Sequence, residues 1–135
     1  MLCLFQEVVN LGYWLFMLAV ILLMPLTMII FGRHFMHNPP KDINGSYGYR
    51  TSMSMKSRET WDFAHRYFGK LWFILGLILL PLSAAAMLFL LGKSVGTIGN
   101  ASIVIMAVQL VFVIVPIFPT EAALKRNFDF NGFPR

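Results

Sequence analysis

The side chains able to do chemistry in this sequence are few, and most fall together. Residues 44–70 read NGSYGYRTSMSMKSRETWDFAHRYFGK and contain Arg50, Glu59, Asp62 and His65, with His34 and His37 a short way upstream. Metal binding is one use for such a set, because imidazoles spaced i, i+3 together with His65, Glu59 and Asp62 are suitable donors. The simpler reading is that His34 and His37 decorate a basic helix end and face its carbonyls, so no metal is expected. Proton transfer is a second use, with Glu59 or His65 moving a proton while Arg50 grips an anionic head. A third use is structural: Arg50 paired with Glu59, Asp62 or Glu121 would fix a folded cap. Nucleophilic and phosphate chemistry lack their motifs, since there is no Gly-x-Ser-x-Gly elbow and no glycine-rich loop ahead of a lysine. Haem would need histidines within apolar spans, which hold none, so no cofactor is expected.

The elements that must position these groups are set by composition. Of 135 residues, 58% are hydrophobic and 13% charged, with mean hydropathy +0.70, more apolar surface than a soluble domain of this size hides. The net charge of +5 lies beside apolar runs, so anionic lipid headgroups, and not nucleic acid, are the expected partner. Cys3 is the only cysteine and forms no internal disulfide. Uncharged runs predict spans at about 11–31, 71–91 and 101–118, each near the ~20 residues that cross a bilayer. Tyr13 and Trp14 read as interfacial anchors, Pro25 as a kink, and Thr27 as a group that helps satisfy the backbone freed there. The turn at 93–100, with Gly96 and Gly99, is short enough to force the third span back antiparallel.

Lysine and arginine are divided unequally: seven in residues 32–70, three in the tail at 119–135, and Lys93 alone on the other side. The positive-inside bias then places the N-terminus outside and the motif loop and C-terminus in the cytoplasm. The expected fold is all-α: a single membrane domain of three transmembrane helices in a multi-pass plasma-membrane protein. An amphipathic helical extension precedes the second span, and a short cytoplasmic helix, capped by Thr120, follows the third.

Within the motif loop, Gly45 and Gly48 allow tight backbone turns beside the rings of Tyr47 and Tyr49. Ser57 with Glu59 two residues on predicts a helix start. From there, Trp61, His65, Phe68 and Trp72 share one helical face, and Arg58, Asp62, Arg66 and Lys70 another at steps of four. The helix is expected to run unbroken from Ser57 into the second span. Ser83 to Ala86 are small enough to predict the tightest helix–helix contact, in this chain or with a second copy as a homodimer. Gln109, alone and polar in the third span, predicts an interhelical hydrogen bond ahead of ligand contact.

The motif also resembles that of the SdpI family of small bacterial integral membrane proteins. It appears as Pro39-Pro40, Asn44, the core Tyr47-Gly48-Tyr49-Arg50-Thr51, then Ser54, Glu59, Trp61 and Ala64-His65. The tail residues Glu121, Leu124, Phe128, Gly132 and Arg135 are similar to the family's C-terminal end, and counting the helices the resemblance covers nearly the whole chain. His65 stands where the family often has Asn, which implies hydrogen bonding in place of metal or acid–base work. What the resemblance implies is a non-enzymatic protein acting in immunity to a secreted peptide toxin, with associated signalling through a cytoplasmic or membrane regulator. The alternative from another class is a membrane enzyme or transporter subunit acting on a lipid or amphiphile.

Overall fold

The computed structural model describes residues 1–135. Helix α1 (Leu2–His37) begins well before the expected span, because nothing in residues 2–10 breaks a helix and Gln6 bonds Asn10 one turn on. It passes through Pro25 without ending. Helix α2 (Arg58–Leu88) starts on a capping box: Ser57 Oγ accepts the Thr60 N–H at 3.1 Å, and Thr60 Oγ1 accepts the Ser57 N–H at 2.9 Å. It continues unbroken through Gly69 and Pro81 and stops at Leu88, short of the expected residue 91.

Helix α3 (Val95–Ile114) starts earlier than expected, because Ser94 caps it by accepting the Thr97 N–H. Gly96 and Gly99 therefore lie inside the helix and not in a turn. After a break at Val115 and Pro116 comes α4 (Ile117–Asn127). Proline lacks the N–H that would carry the α3 ladder onward, and suits a helix start. Thr120 is accordingly not a cap. It is fully buried within α4, its hydroxyl donating to the Pro116 carbonyl at 2.7 Å.

Leu2–His37, Arg58–Leu88 and the helical stretch Val95–Asn127 are each long and apolar enough to cross a membrane. Large side chains such as Phe16, Leu23, Ile30, Leu82 and Ile103 stand exposed along them, as a bilayer-facing surface requires. The buried residues of α1 (Trp14, Met17, Ile21, Pro25, Met28, Gly32, Phe35) recur at steps of three and four, the seam spacing of left-handed helix packing. Against them α2 sets Gly69 and Gly76. A Cβ on Gly69 would lie 2.6 Å from the Gly32 carbonyl oxygen, and one on Gly76 2.9 Å from the Pro25 carbonyl oxygen.

These close backbone approaches of α1 and α2 lie outside the stretch Ser83 to Ala86. Ser83 is buried facing α3, and Ala85 is exposed. One apolar cluster at the α1 start joins Trp14, Met17 and Ile21 to Met87 and Ile98. The other, at the loop end, joins Tyr49 and Met53 to Ala64 and Phe68 of α2 and to Leu124 and Phe128.

Candidate functional site

The segment between α1 and α2 is a folded cap whose turns are made by its own side chains. Asn44 Oδ1 accepts the N–H groups of Ser46 at 2.9 Å and Tyr47 at 2.6 Å, which turns the chain back. Gly48 follows with φ of +109°, a region that side-chain-bearing residues avoid. A Cβ there would also sit 2.5 Å from His65 Nε2, so the position is closed to other residues twice over.

That approach lets the Tyr49 N–H donate to His65 Nε2 at 2.8 Å. A backbone amide can only donate, so Nε2 is the acceptor. The imidazole proton is therefore on Nδ1, which lies 2.8 Å from the Trp61 carbonyl and donates to it. His65 is a neutral, fully buried ring with both nitrogens engaged. Phe35 packs edge-on against it with centroids 5.1 Å apart, and the Trp61 ring lies at 4.4 Å. The Trp61 indole donates to the Pro40 carbonyl at 2.9 Å, fixing the loop's other end.

Beyond Tyr49 the chain makes a second turn. Ser54 Oγ accepts the Thr51 N–H at 2.9 Å and donates to the Tyr49 carbonyl at 3.0 Å, while Thr51 Oγ1 accepts the Ser54 N–H. The Tyr49 ring rests on Phe68, and its hydroxyl donates to Glu121 Oε1 of α4 at 2.6 Å. Burial, that hydrogen bond and the carboxylate's charge hold the phenol well above its ordinary pKa. Ser57 Oγ donates to the Gly132 carbonyl at 2.7 Å, and Asp129 Oδ1 accepts the N–H groups of Asn131 and Phe133. The tail is thus part of the cap.

Arg50 does not pair with Glu59, Asp62 or Glu121. It is exposed, and its guanidinium donates to the Gly45 carbonyl. The reason is local alternation: Tyr49 turns inward and takes Glu121, which turns Arg50 outward. Glu59 is exposed in the first turn of α2, favoured there by the helix dipole, and Asp62 faces Arg58 at 3.5 Å. Tyr47 is exposed and edge-on to Phe35. His34 and His37 are exposed at the end of α1, and no three His, Cys, Asp or Glu side chains come together to hold a metal.

Gln109 lies apart from this cap. Pro25 has no N–H for the carbonyl four residues earlier, Ile21, and Gln109 Nε2 donates to that oxygen at 3.0 Å and to Ser83 Oγ at 2.9 Å. Thr27, expected to help here, instead donates to the Leu23 carbonyl. Gln109 Oε1 is buried with no hydrogen-bond partner. Trp72 Nε1 donates to the Val113 carbonyl near the end of α3. A cavity of about 520 Å³ opens beneath the cap, lined by Phe31, Phe35, Tyr49, Arg50, Phe68 and Trp72 among others. Sequence reasoning missed Pro40, Thr60 and Phe35 as partners. Only Thr60 had a local signal, the Ser57-x-x-Thr60 spacing.

Three apolar helices carrying a side-chain-built cap on one end define a multi-pass helical membrane protein. The SdpI/YfhL protein family model matches residues 41–120, from the motif loop through α3, and the chain belongs to that family. It is 42% identical over 67 residues to the protein YfhL of Bacillus subtilis (strain 168). That match covers 50% of this chain and 56% of YfhL, so the chain matches little more than half of the relative's length. No solved structure matches it.

Proposed function

We propose that this protein acts without catalysis, protecting a bacterial cell against a secreted peptide toxin. The family's namesake role supports that reading, and the family is not known as one of enzymes. The observation that carries it is the state of the cap. Of the two groups that the sequence offers for moving protons, His65 is bonded at both nitrogens inside the fold, and Glu59 stands exposed in the first turn of α2, outside the lining of the cavity beneath the cap. A general base needs a free lone pair within reach of substrate, and both His65 nitrogens are occupied. Such a cap is suited to docking, and Arg50, Tyr47 and Glu59 are among its exposed polar and aromatic groups.

Ten of the eleven lysines and arginines lie at the cap end or in the tail, which supports a cytoplasmic cap and an outer N-terminus in the plasma membrane. In that orientation the spans and the outer turn meet the toxin. The cap faces anionic headgroups and a cytoplasmic or membrane regulator, and the exposed Ala85 side of α2 is open to a second copy as a homodimer.

The test is the sensitivity of a strain lacking the gene to secreted killing factors from its own culture and its neighbours. Wild type and His65→Asn are expected to restore resistance, and Arg50→Ala is not. Absence of sensitivity under every condition would remove the immunity reading.

A further inference from the structure

The cavity beneath Arg50 does not end at the cap. A second cavity of about 400 Å³ lies between α1 and α3, and the two share Thr27 and Trp72 in their linings. They adjoin at these two side chains and line up along α1 as a groove. Its wall on α1 is a single face of the helix, Phe35, Phe31, Thr27, Met24 and Val20, spaced at steps of three and four. From Phe35 to Val20 the helix rises about 22 Å at ~1.5 Å per residue. One leaflet with its headgroups is about 20–22 Å deep.

The wall is apolar for most of that length. At the cap end stands Arg50, its guanidinium bonded to a neutral carbonyl and to no carboxylate, beside Tyr47 and Thr51. At the deep end is the Gln109 amide, held by Ile21 and Ser83. An unneutralised guanidinium above a leaflet-long apolar groove is complementary to one class of molecule.

We propose that this groove is a binding site for an anionic phospholipid of the cap-side leaflet, its phosphate on Arg50 and one acyl chain lying along Phe31, Thr27 and Met24 past Trp72. A soluble phosphate has no use for the apolar wall, and a zwitterionic lipid brings its own ammonium with its phosphate, so the net positive charge at Arg50 is left in place. The site shares Arg50 with the immunity reading but does not rest on it, and its test does not involve a toxin.

The test uses the full-length protein in nanodiscs containing phosphatidylglycerol or phosphatidylcholine, each with the same photoactivatable diazirine in one acyl chain. Labelled residues are mapped by mass spectrometry. Labelling at Thr27, Phe31 and Trp72 is expected to be about fivefold higher with phosphatidylglycerol, the weight of one basic residue at an anionic surface. Residues exposed on the outer face of α3, Ile103 and Leu110, should label equally with both lipids. Arg50→Gln should bring the ratio in the groove to about one, and Arg50→Lys should keep it. The unchanged α3 labelling reports that each variant is folded. Equal groove labelling by the two lipids in wild type, or a preference that survives Arg50→Gln, overturns the proposal.

Discussion

Replacing His65 with leucine tests the reasoning that built the cap. The side chains are similar in bulk, but leucine cannot accept the Tyr49 N–H, which lies in a buried setting with His65 Nε2 as its acceptor. The Trp61 carbonyl loses only an additional donor, because the helix ladder still serves it. The variant thus isolates one unsatisfied buried amide, a loss of about 1–3 kcal/mol. At ~1.4 kcal/mol per factor of ten, exchange protection of the Tyr49 amide should fall roughly 5- to 150-fold. The assay is hydrogen–deuterium exchange resolved to single amides in detergent or nanodiscs. The loss should centre on Tyr49 and spread to Thr51 and Ser54, whose turn is bonded to the Tyr49 carbonyl, while α3 is unchanged. His65→Asn should fall between the two, because its shorter amide reaches the loop only if Gly48 moves closer, and Gly48 has no side chain to prevent that. Acidification should loosen the same amide, because a protonated Nε2 presents a donor to a donor. Unchanged Tyr49 protection in His65→Leu, or an equal loss along the whole chain, would refute the assignment.

Three other outcomes follow from the packing. Gly69→Leu puts a side chain where the Gly32 carbonyl lies 2.6 Å from a bare Cβ, so it should destabilise α1 against α2 by about 1–3 kcal/mol or more in reversible SDS unfolding; Gly96→Ala, with nothing within 4 Å, should be neutral or stabilising. Tyr49 is neutral in the fold and its pKa is raised, so its contribution to stability is fully present below about pH 10 and declines as pH climbs from there toward the raised value. An absorbance titration should show one fewer phenol resisting ionisation in Tyr49→Phe than in wild type. Gln109→Leu should cost about 1–3 kcal/mol by orphaning the Ile21 carbonyl, and less in a Pro25→Ala background that restores that carbonyl's own N–H; equal costs in both backgrounds would show that Gln109 has no such role.

Much of this fold was readable along the chain, because its signals are local. Uncharged length marks a span, Ser57 marks a helix start, and the spacing of Trp61, His65 and Phe68 marks the face that α2 buries. Gln109 reads locally as a hydrogen-bonding residue, and it does bond across helices. What local reasoning could not supply was the partner. Pro25 leaves the Ile21 carbonyl bare and Gln109 is a donor, yet only the helix packing brings the two together. Arg50 was matched to carboxylates by charge, whereas the inward turn of Tyr49 decided which residue reached Glu121. The small residues Ser83 to Ala86 looked like the closest surface by composition. Gly32 and Gly69 meet backbone to backbone, but the whole motif loop separates them in sequence. Helix starts at Leu2 and Val95 were missed because the uncharged run that marks the first span follows Glu7 and Asn10, and because two glycines look like non-helical chain until their neighbours are known.

The partners of the cap also set an order of events during synthesis. α1 and α2 meet backbone to backbone at Gly32, Gly69 and Gly76, so the hairpin's own contact is formed once Leu88 has been made, while the Ile21 carbonyl and Ser83 wait for Gln109 of α3. His65 and Trp61 then hold one side of the loop. Its other side waits, because Glu121, Leu124 and the Gly132 carbonyl emerge only after α3. A ribosome paused within α3 would carry a finished hairpin with a half-latched loop, and the surface around Tyr49 would stay open to chaperones and proteases until α4 arrived.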